Sequence, residues 1–292
     1  MNRSRLLSST VAWPTCALGA WSAAWLTGRC SPDDVIEALA ESADRHVVQW
    51  PAAPGPATER VSSATGSMSG VLDLLALLRP ARRLVVRLPS TGDPQGLPPH
   101  AATSAALGAG EVLLVDDATD TGTLALVPAF TVSASAADGG EPPFITCTWS
   151  AYRYDTALDL GHLVSAGPSA GDLEYDLRQA VRDATTIIGG LGGLGGRRSA
   201  DPTDLRTQLL ALTSRHRVAL PPHILDARST RLIDTAAQVE AIVDLAGARG
   251  VEIGDSAGQW DSGDATLRGL QVLTRTARAA AVNQTIVELL RR

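Results

Sequence analysis

Apolar positions change their period twice along the chain, and those changes lay out the architecture. From Ala17 to about Thr27, Leu18, Trp21 and Trp25 recur at three and four, the spacing that places side chains on one helix face. Ser31, Pro32 and Asp34 then read as a helix start, with a capping hydroxyl, a proline in the first turn and an acid three residues past the cap. Val35, Ile36, Leu39 and Ala43 carry that second helix to about Asp44. So short a connection predicts an antiparallel helical hairpin with Trp21 and Trp25 as core anchors. Val47–Trp50 is a candidate strand, ended by Pro51, Pro54 and Pro56, which supply no N–H to a ladder. Residues 51–69 read as loop, and Val71, Leu72, Leu75 and Leu78 as a short helix stopped by Pro80.

The period then shortens to two. Leu84–Leu88, Glu111–Val115, Thr123–Thr131 and Phe144–Tyr154 read as strands, and Pro128 predicts an edge or a bulge for the third of these. In the last, Ile145, Cys147, Trp149 and Ala151 alternate with Phe144, Thr146, Thr148 and Ser150. A Gly/Pro-rich loop at Ser90–Pro99 and a small Ala-rich helix at Ala101–Leu107 separate the first two. The acidic turn between the second and third is short enough for a hairpin, so a mostly antiparallel sheet follows.

Beyond residue 165 the helical period returns. Leu173, Leu177, Ala180, Val181, Ala184, Ile187 and Ile188 form one stripe, and residues 189–200 read as a glycine-rich linker. Leu205, Leu209 and Leu212 mark a further helix. Leu232, Ala236, Val239, Val243 and Ala246 mark another, with Ser229 as its candidate cap, and Asp264 onward is a long terminal helix. The expected class is α+β: an N-terminal helical hairpin, a small mostly antiparallel sheet of about four to five strands, and a helical C-terminal half. Residues 1–165 would hold the sheet, with 166–292 packing on it as a second region or as part of one continuous domain.

Composition narrows the function classes. At 292 residues, 45% hydrophobic and 19% charged, the chain has the balance of a globular protein. A net charge of −6 with scattered arginines argues against nucleic-acid binding. Lysine is absent, and Arg79, Arg82, Arg83 and Arg87 cluster at one helix-to-strand junction. Cys16, Cys30 and Cys147 are odd in number and lack CxxC spacing, which fits neither a disulfide framework nor a zinc site and points to a reducing cytoplasm. The five histidines lack HxH or HExxH spacing, so no metal is expected, and surface or singly hydrogen-bonded histidines are the default. Arg3 and Arg5 precede an uncharged run, Leu6–Leu26, that imitates a targeting segment. Ser8, Ser9, Thr10, Pro14 and Thr15 interrupt it, which favours a buried amphipathic helix and no membrane association.

Three motifs carry candidate chemistry. Val112–Gly122, an apolar strand followed by Asp-Asp and then Thr-Gly, resembles the phosphoribosyl-diphosphate loop of the type I phosphoribosyltransferases. The resemblance implies that Asp116 and Asp117 take the ribose and that Thr119–Thr123, with Asp120, Thr121 and Gly122, hold the phosphate. That loop must open a helix whose N–H groups face the anion, yet Leu124–Phe130 reads as a strand, so a solvated hairpin turn is expected instead. Gly190–Gly195 matches GxGxxG but follows a helix rather than a strand. Gly167–Gly171 matches GxSxG, with Asp201 or Asp226 and His216 or His223 as triad partners, but Ser169 also suits a helix N-cap with Asp172 three residues on.

The blocks Leu84–Pro98, Ala105–Glu111 and Leu124–Pro128, together with Trp21–Leu26 and Ser31–Asp34, resemble an Ala/Arg-rich actinobacterial conserved-hypothetical family. The resemblance brings no activity with it and implies that the Gly92-Asp93-Pro94 loop is a family feature. The reading favoured by the sequence is a non-enzymatic cytoplasmic protein acting on a protein partner or on itself, without cofactor, metal or catalytic residue. The alternative is a phosphate or phosphoribosyl-diphosphate type of ligand held by the acidic turn and the Gly92–Asp93 loop, and the remote one a serine hydrolase.

Overall fold

The computed structural model describes residues 12–51, 68–117, 122–133, 144–193, 202–222, 226–249 and 257–291. Helix α1 (Pro14–Leu26) starts after Trp13, whose φ of 73° turns the chain sharply into the helix. Helix α2 (Pro32–Ala40) opens on the expected capping box: Ser31 Oγ accepts the Asp34 N–H while Asp34 accepts the Ser31 N–H at 2.7 Å. The two helices pack together as the hairpin predicts, with Trp21 and Trp25 half-buried against the core rather than inside it. No helix among the described residues is long and apolar enough to cross a membrane. The Leu6–Leu26 run lies partly outside the described residues; from Pro14 onward it is α1, with Cys16, Leu18, Ala20 and Ala23 buried.

Strands β1 (Arg45–Gln49), β2 (Met68–Ser69), β3 (Arg83–Arg87), β4 (Val112–Asp116), β5 (Leu124–Val132) and β6 (Ile145–Arg153) form a single sheet in the order β2-β1-β6-β5-β4-β3. Among the described residues only the β1–β6 pairing is parallel. The sheet thus has one strand more than the pattern shows, the two-residue β2, too short to produce an alternation. Pro128 sits in β5, an interior strand, opposite Trp149 of β6. The ladder from β5 to β4 stops at Leu126, so beyond that point β5 is locally an edge and a missing N–H is tolerated.

The remaining helices are α3 (Val71–Leu78), α4 (Ala101–Ala109), α5 (Leu160–Ser165), α6 (Ala170–Gly193), α7 (Pro202–His216), α8 (Ala227–Arg249) and α9 (Ala257–Leu290). Helix α6 continues through Gly193, so residues 189–193, read from composition as linker, are helical. Residues 194–201 of that linker lie outside the described residues. One core joins both halves of the chain: Leu18, Leu39, Leu74, Val86, Leu113, Leu126 and Trp149 share it with Leu173, Leu232, Val282 and Ile286. A second core, with Val85, Leu114, Ala125, Ala102 and Leu160, fills the opposite sheet face under α4 and α5.

Helix α9 organises this packing. Ala277, Arg278, Ala279, Ala281, Val282, Asn283, Thr285 and Ile286 are all buried, so its second half is enclosed on nearly every side, against α1, α6, α8 and β3. It also covers one edge of the sheet, at β3. Val86 of edge strand β3 donates its N–H to Asn283 Oδ1 at 2.7 Å, and Asn283 Nδ2 returns a bond to Val86 O at 3.0 Å. A side-chain amide thereby stands in for one residue of a neighbouring strand. Two residues on, the Leu88 N–H is taken by Gln95 Oε1 at 2.9 Å. An edge that could template pairing with another chain is covered by side chains instead.

Beneath this lies a buried polar network. Glu111 accepts both the Thr15 N–H (3.1 Å) and the Thr15 hydroxyl (2.5 Å) on one carboxylate oxygen. Arg278, wholly buried, donates to Glu240. The guanidinium carbons of Arg275 and Arg278 lie 4.9 and 4.6 Å from the Trp13 ring centroid, a cation–π arrangement that partly replaces lost hydration. Two histidines are buried and doubly held, where surface or singly hydrogen-bonded ones are the expectation. His46 Nε2 faces Leu39 O at 3.1 Å while its Nδ1 accepts the Trp149 indole N–H at 3.1 Å. His216 lies 2.8 Å from Asp244 and accepts from the Trp13 indole at 3.4 Å.

Candidate functional site

The sequence-derived site residues fall at two ends of the sheet. In β3 and β4, Arg83 pairs with Asp116 and Arg87 with Val112. The acidic turn follows Asp116 at one end, and the loop bearing Gly92 and Asp93 follows Arg87 at the other. Five paired residues at about 3.4 Å each separate them, so they do not meet in one site.

At the first end, β4 and β5 form the hairpin that the short turn predicts, and Leu124 opens a strand, not a helix. Asp116 is half-buried, and its carbonyl accepts the Arg82 N–H at 2.7 Å. Asp117 departs from the expected solvated turn: it is buried and salt-bridged to Arg153 of β6 at 2.7 Å. Arg153 also donates to Gly122 O at 3.0 Å, tying the hairpin to the neighbouring strand. Gly122 has φ of 96°, and a Cβ there would lie 1.9 Å from Tyr154 O, so its place is set by backbone crowding. Asp120 and Thr121 lie outside the described residues, as does Thr119.

At the second end the chain builds a cleft. Ser90 and Asp93 exchange two backbone hydrogen bonds at 2.9 Å across a tight turn, and Gly92 with φ of 87° supplies the left-handed position. Asp93 Oδ1 accepts the Gln95 N–H at 2.9 Å, fixing the carboxylate. Arg87, at the end of β3, donates from Nη2 to the carbonyl of Leu163 in α5, and its buried Nε has no partner among the described residues. Helix α5 lies close across β3: Gly161 faces Arg83, and a Cβ at Gly96 would lie 3.0 Å from Leu163 Cδ2. Burial pushes the Arg87 guanidinium below its usual range, and the nearby charge of Asp93 opposes that shift. Among the described residues the two form no ion pair.

The cavity is about 870 Å³. Its lining is polar at Arg87, Asp93, Gln95 and His162, and apolar at Leu163, Val164, Leu232, Ala279 and Ala280. The turn at Gly167–Pro168 and the start of α8 complete the rim. Asp226 caps α8, accepting from Arg228 N (2.9 Å) and Ser229 Oγ (2.6 Å), where the sequence nominates Ser229. Those bonds hold the Asp226 carboxyl below its usual range. Ser169 is the N-cap that its spacing with Asp172 suggests: it accepts the Asp172 N–H at 3.2 Å and follows helix α5, not a strand. His216, one candidate triad partner, is buried against Asp244; Asp201 and His223 lie outside the described residues. Among the described residues, no group of three His, Cys, Asp or Glu side chains is placed to hold a metal.

Arg87, Gln95, His162 and Asn283 were not nominated by sequence. For Arg87 a signal was present. It interrupts the apolar run Leu84–Leu88, and a charge inside a largely buried strand needs a polar cavity or partner. Asn283, in an Ala-Ala-Val-Asn-Gln run, carries no such signal.

Models of the Rv1486c-like protein family match the chain in two parts, the N-terminal domain at residues 15–160 and the C-terminal domain at residues 171–279. The Mycobacterium tuberculosis H37Rv protein named Uncharacterized protein Rv1486c is 34% identical over 286 residues, covering 92% of this chain and 96% of its own. Uncharacterized protein ML1804 of Mycobacterium leprae is 27% identical over 294 residues with the same shares, 92% and 96%. Uncharacterized protein MAV321 of Mycobacterium avium is 31% identical over 249 residues, covering 79% of this chain and 78% of its own. No solved structure matches. The likeness to an actinobacterial family without a known activity thus holds over most of the chain, and this protein belongs to the Rv1486c-like family.

Proposed function

We propose that the protein binds a small organic molecule carrying an anionic group, in the cleft between the Gly92–Gly96 loop, α5 and α9. The observation that carries this reading is Arg87, a half-buried cation on the cavity wall whose Nε lacks a protein partner among the described residues. A guanidinium drawn out of water is stabilised by an anion that meets its free donors in a fork. The volume, about 870 Å³, suits a small ligand. The three cysteines are unpaired, which supports a reducing, cytoplasmic setting.

Thermal melts and calorimetry against carboxylates, amino acids, sugar phosphates, nucleotides and phosphoribosyl diphosphate test this. A ligand at 100 times its Kd stabilises the fold by about 2.7 kcal/mol. The expected result is saturable binding of at least one anionic compound that Arg87→Gln abolishes while the variant stays folded. A flat panel, or binding indifferent to Arg87→Gln, refutes the proposal.

A further inference from the structure

Arg87 and Asp93 present opposite charges to one cavity without pairing with each other. Each is held in place by the protein through part of its polar edge. Arg87 commits Nη2 to Leu163 O, and its buried Nε has no partner among the described residues. Asp93 commits Oδ1 to the Gln95 N–H, and its backbone is locked by the two bonds to Ser90, leaving Oδ2. Two such charges select by sign on both sides. A simple anion drawn to Arg87 faces the Asp93 carboxylate, and a polyphosphate faces it with more charge still. A simple cation drawn to Asp93 faces Arg87. A head group with both signs on adjacent atoms satisfies the pair together, and repulsion against the wrong class supplies the discrimination. The same cavity also offers hydrocarbon, from Leu163, Val164, Leu232 and Ala280.

Resting on the cleft as the binding site, we propose that it takes a zwitterion of the α-amino-acid class with an apolar side chain. The carboxylate meets Arg87, the ammonium meets Asp93, and the side chain lies over Leu163 and Leu232. Gln95 is the positioning residue: its N–H orients Asp93, and its Oε1 fixes the end of β3 through Leu88.

Calorimetry on the full chain with L-leucine, L-phenylalanine, 4-methylpentanoate and isopentylamine separates the contributions of the two charges. The expected result is saturable binding of leucine or phenylalanine, with each singly charged analogue weaker by about tenfold or more. Asp93→Asn keeps the Oδ1 acceptor and should weaken the amino acid by about tenfold while leaving 4-methylpentanoate unchanged or tighter. If 4-methylpentanoate binds as well as leucine, or Asp93→Asn leaves leucine binding intact, the zwitterion assignment is wrong and the cleft reading stands. Binding of some other anion, lost in Arg87→Gln, with no amino acid bound, likewise overturns the zwitterion and keeps the cleft. If no anionic compound binds at all, both fall together.

Discussion

Replacing Glu111 by glutamine should make the protein more stable at alkaline pH and change how its stability depends on pH. Glu111 is buried, and burial raises its carboxyl from near 4.5 to about 7, opposed by the Thr15 bonds and by the charges of Arg275 and Arg278. Between those two pH values the folded chain holds a proton that the unfolded chain has released. Folding is therefore favoured by this group below pH 4.5, and the contribution is lost as pH rises through 7. A proton held from 4.5 to 7 is worth about 3 kcal/mol in all, and between pH 5 and pH 8 the linkage amounts to about 2 to 3 kcal/mol. Glutamine cannot ionise, and its carbonyl oxygen can still accept both Thr15 bonds. Urea unfolding of wild type and Glu111→Gln at pH 5 and pH 8 gives four free energies. The variant's advantage should grow by about 2 to 3 kcal/mol from the lower pH to the higher. Groups common to both proteins cancel, including His46, whose burial lowers its proton affinity and gives the opposite trend below about pH 6.5. An advantage equal at both pH values would show that Glu111 does not titrate in this window, and the reasoning from its burial would fail.

Three further substitutions test the packing. Asn283→Ala leaves the Val86 N–H and C=O unpaired in a buried place and should cost about 2 to 5 kcal/mol in urea unfolding. Gly122→Ala places a methyl 1.9 Å from the backbone oxygen of Tyr154, which cannot move as a side chain could; a loss of about 3 kcal/mol or more is expected, and a melting temperature within a degree of wild type would contradict the hairpin geometry. Gly19→Ala puts a methyl 2.9 Å from Ile286 Cδ1 and 3.2 Å from Val86 Cγ2, and overpacking of α1 against α9 and the sheet should cost about 1 to 3 kcal/mol by the same assay. We also infer that residues 166–292 do not fold alone, since Leu173, Leu232 and Ile286 pack in the core shared with the sheet; far-ultraviolet circular dichroism of that fragment should show little cooperative melting.

Wherever local chemistry decides structure, the sequence is legible. The capping box at Ser31, the Ser169–Asp172 cap and the alternation through β6 depend on neighbours within a few residues, and each is found where the spacing puts it. Legibility fails where a distant partner decides. Asp117 looks like a solvated turn acid because nothing nearby neutralises it; its partner, Arg153, lies 36 positions on. The histidines read as surface or singly hydrogen-bonded residues for the same reason, since His46 depends on Trp149 and His216 on Trp13. The glycines at 189–193 suggest a linker by propensity, yet they extend a helix whose stripe is buried further back.

The same distinction explains the candidate site. The Gly92–Asp93 turn could be found from sequence because glycine and aspartate announce an unusual backbone. The cleft could not, because its other walls come from α5, α8 and α9, as many as 190 residues away. What joins them is Asn283, whose amide holds α9 to Val86 on the sheet edge. Gln95 performs the parallel task at Leu88, and both amides line the cavity. The residues that seal the sheet edge are therefore also the residues that shape the cleft. A substitution at Asn283 should then act on ligand affinity and on stability together, whereas Asp93→Asn, which keeps the Oδ1 bond to Gln95 and changes only the charge, should act on affinity alone.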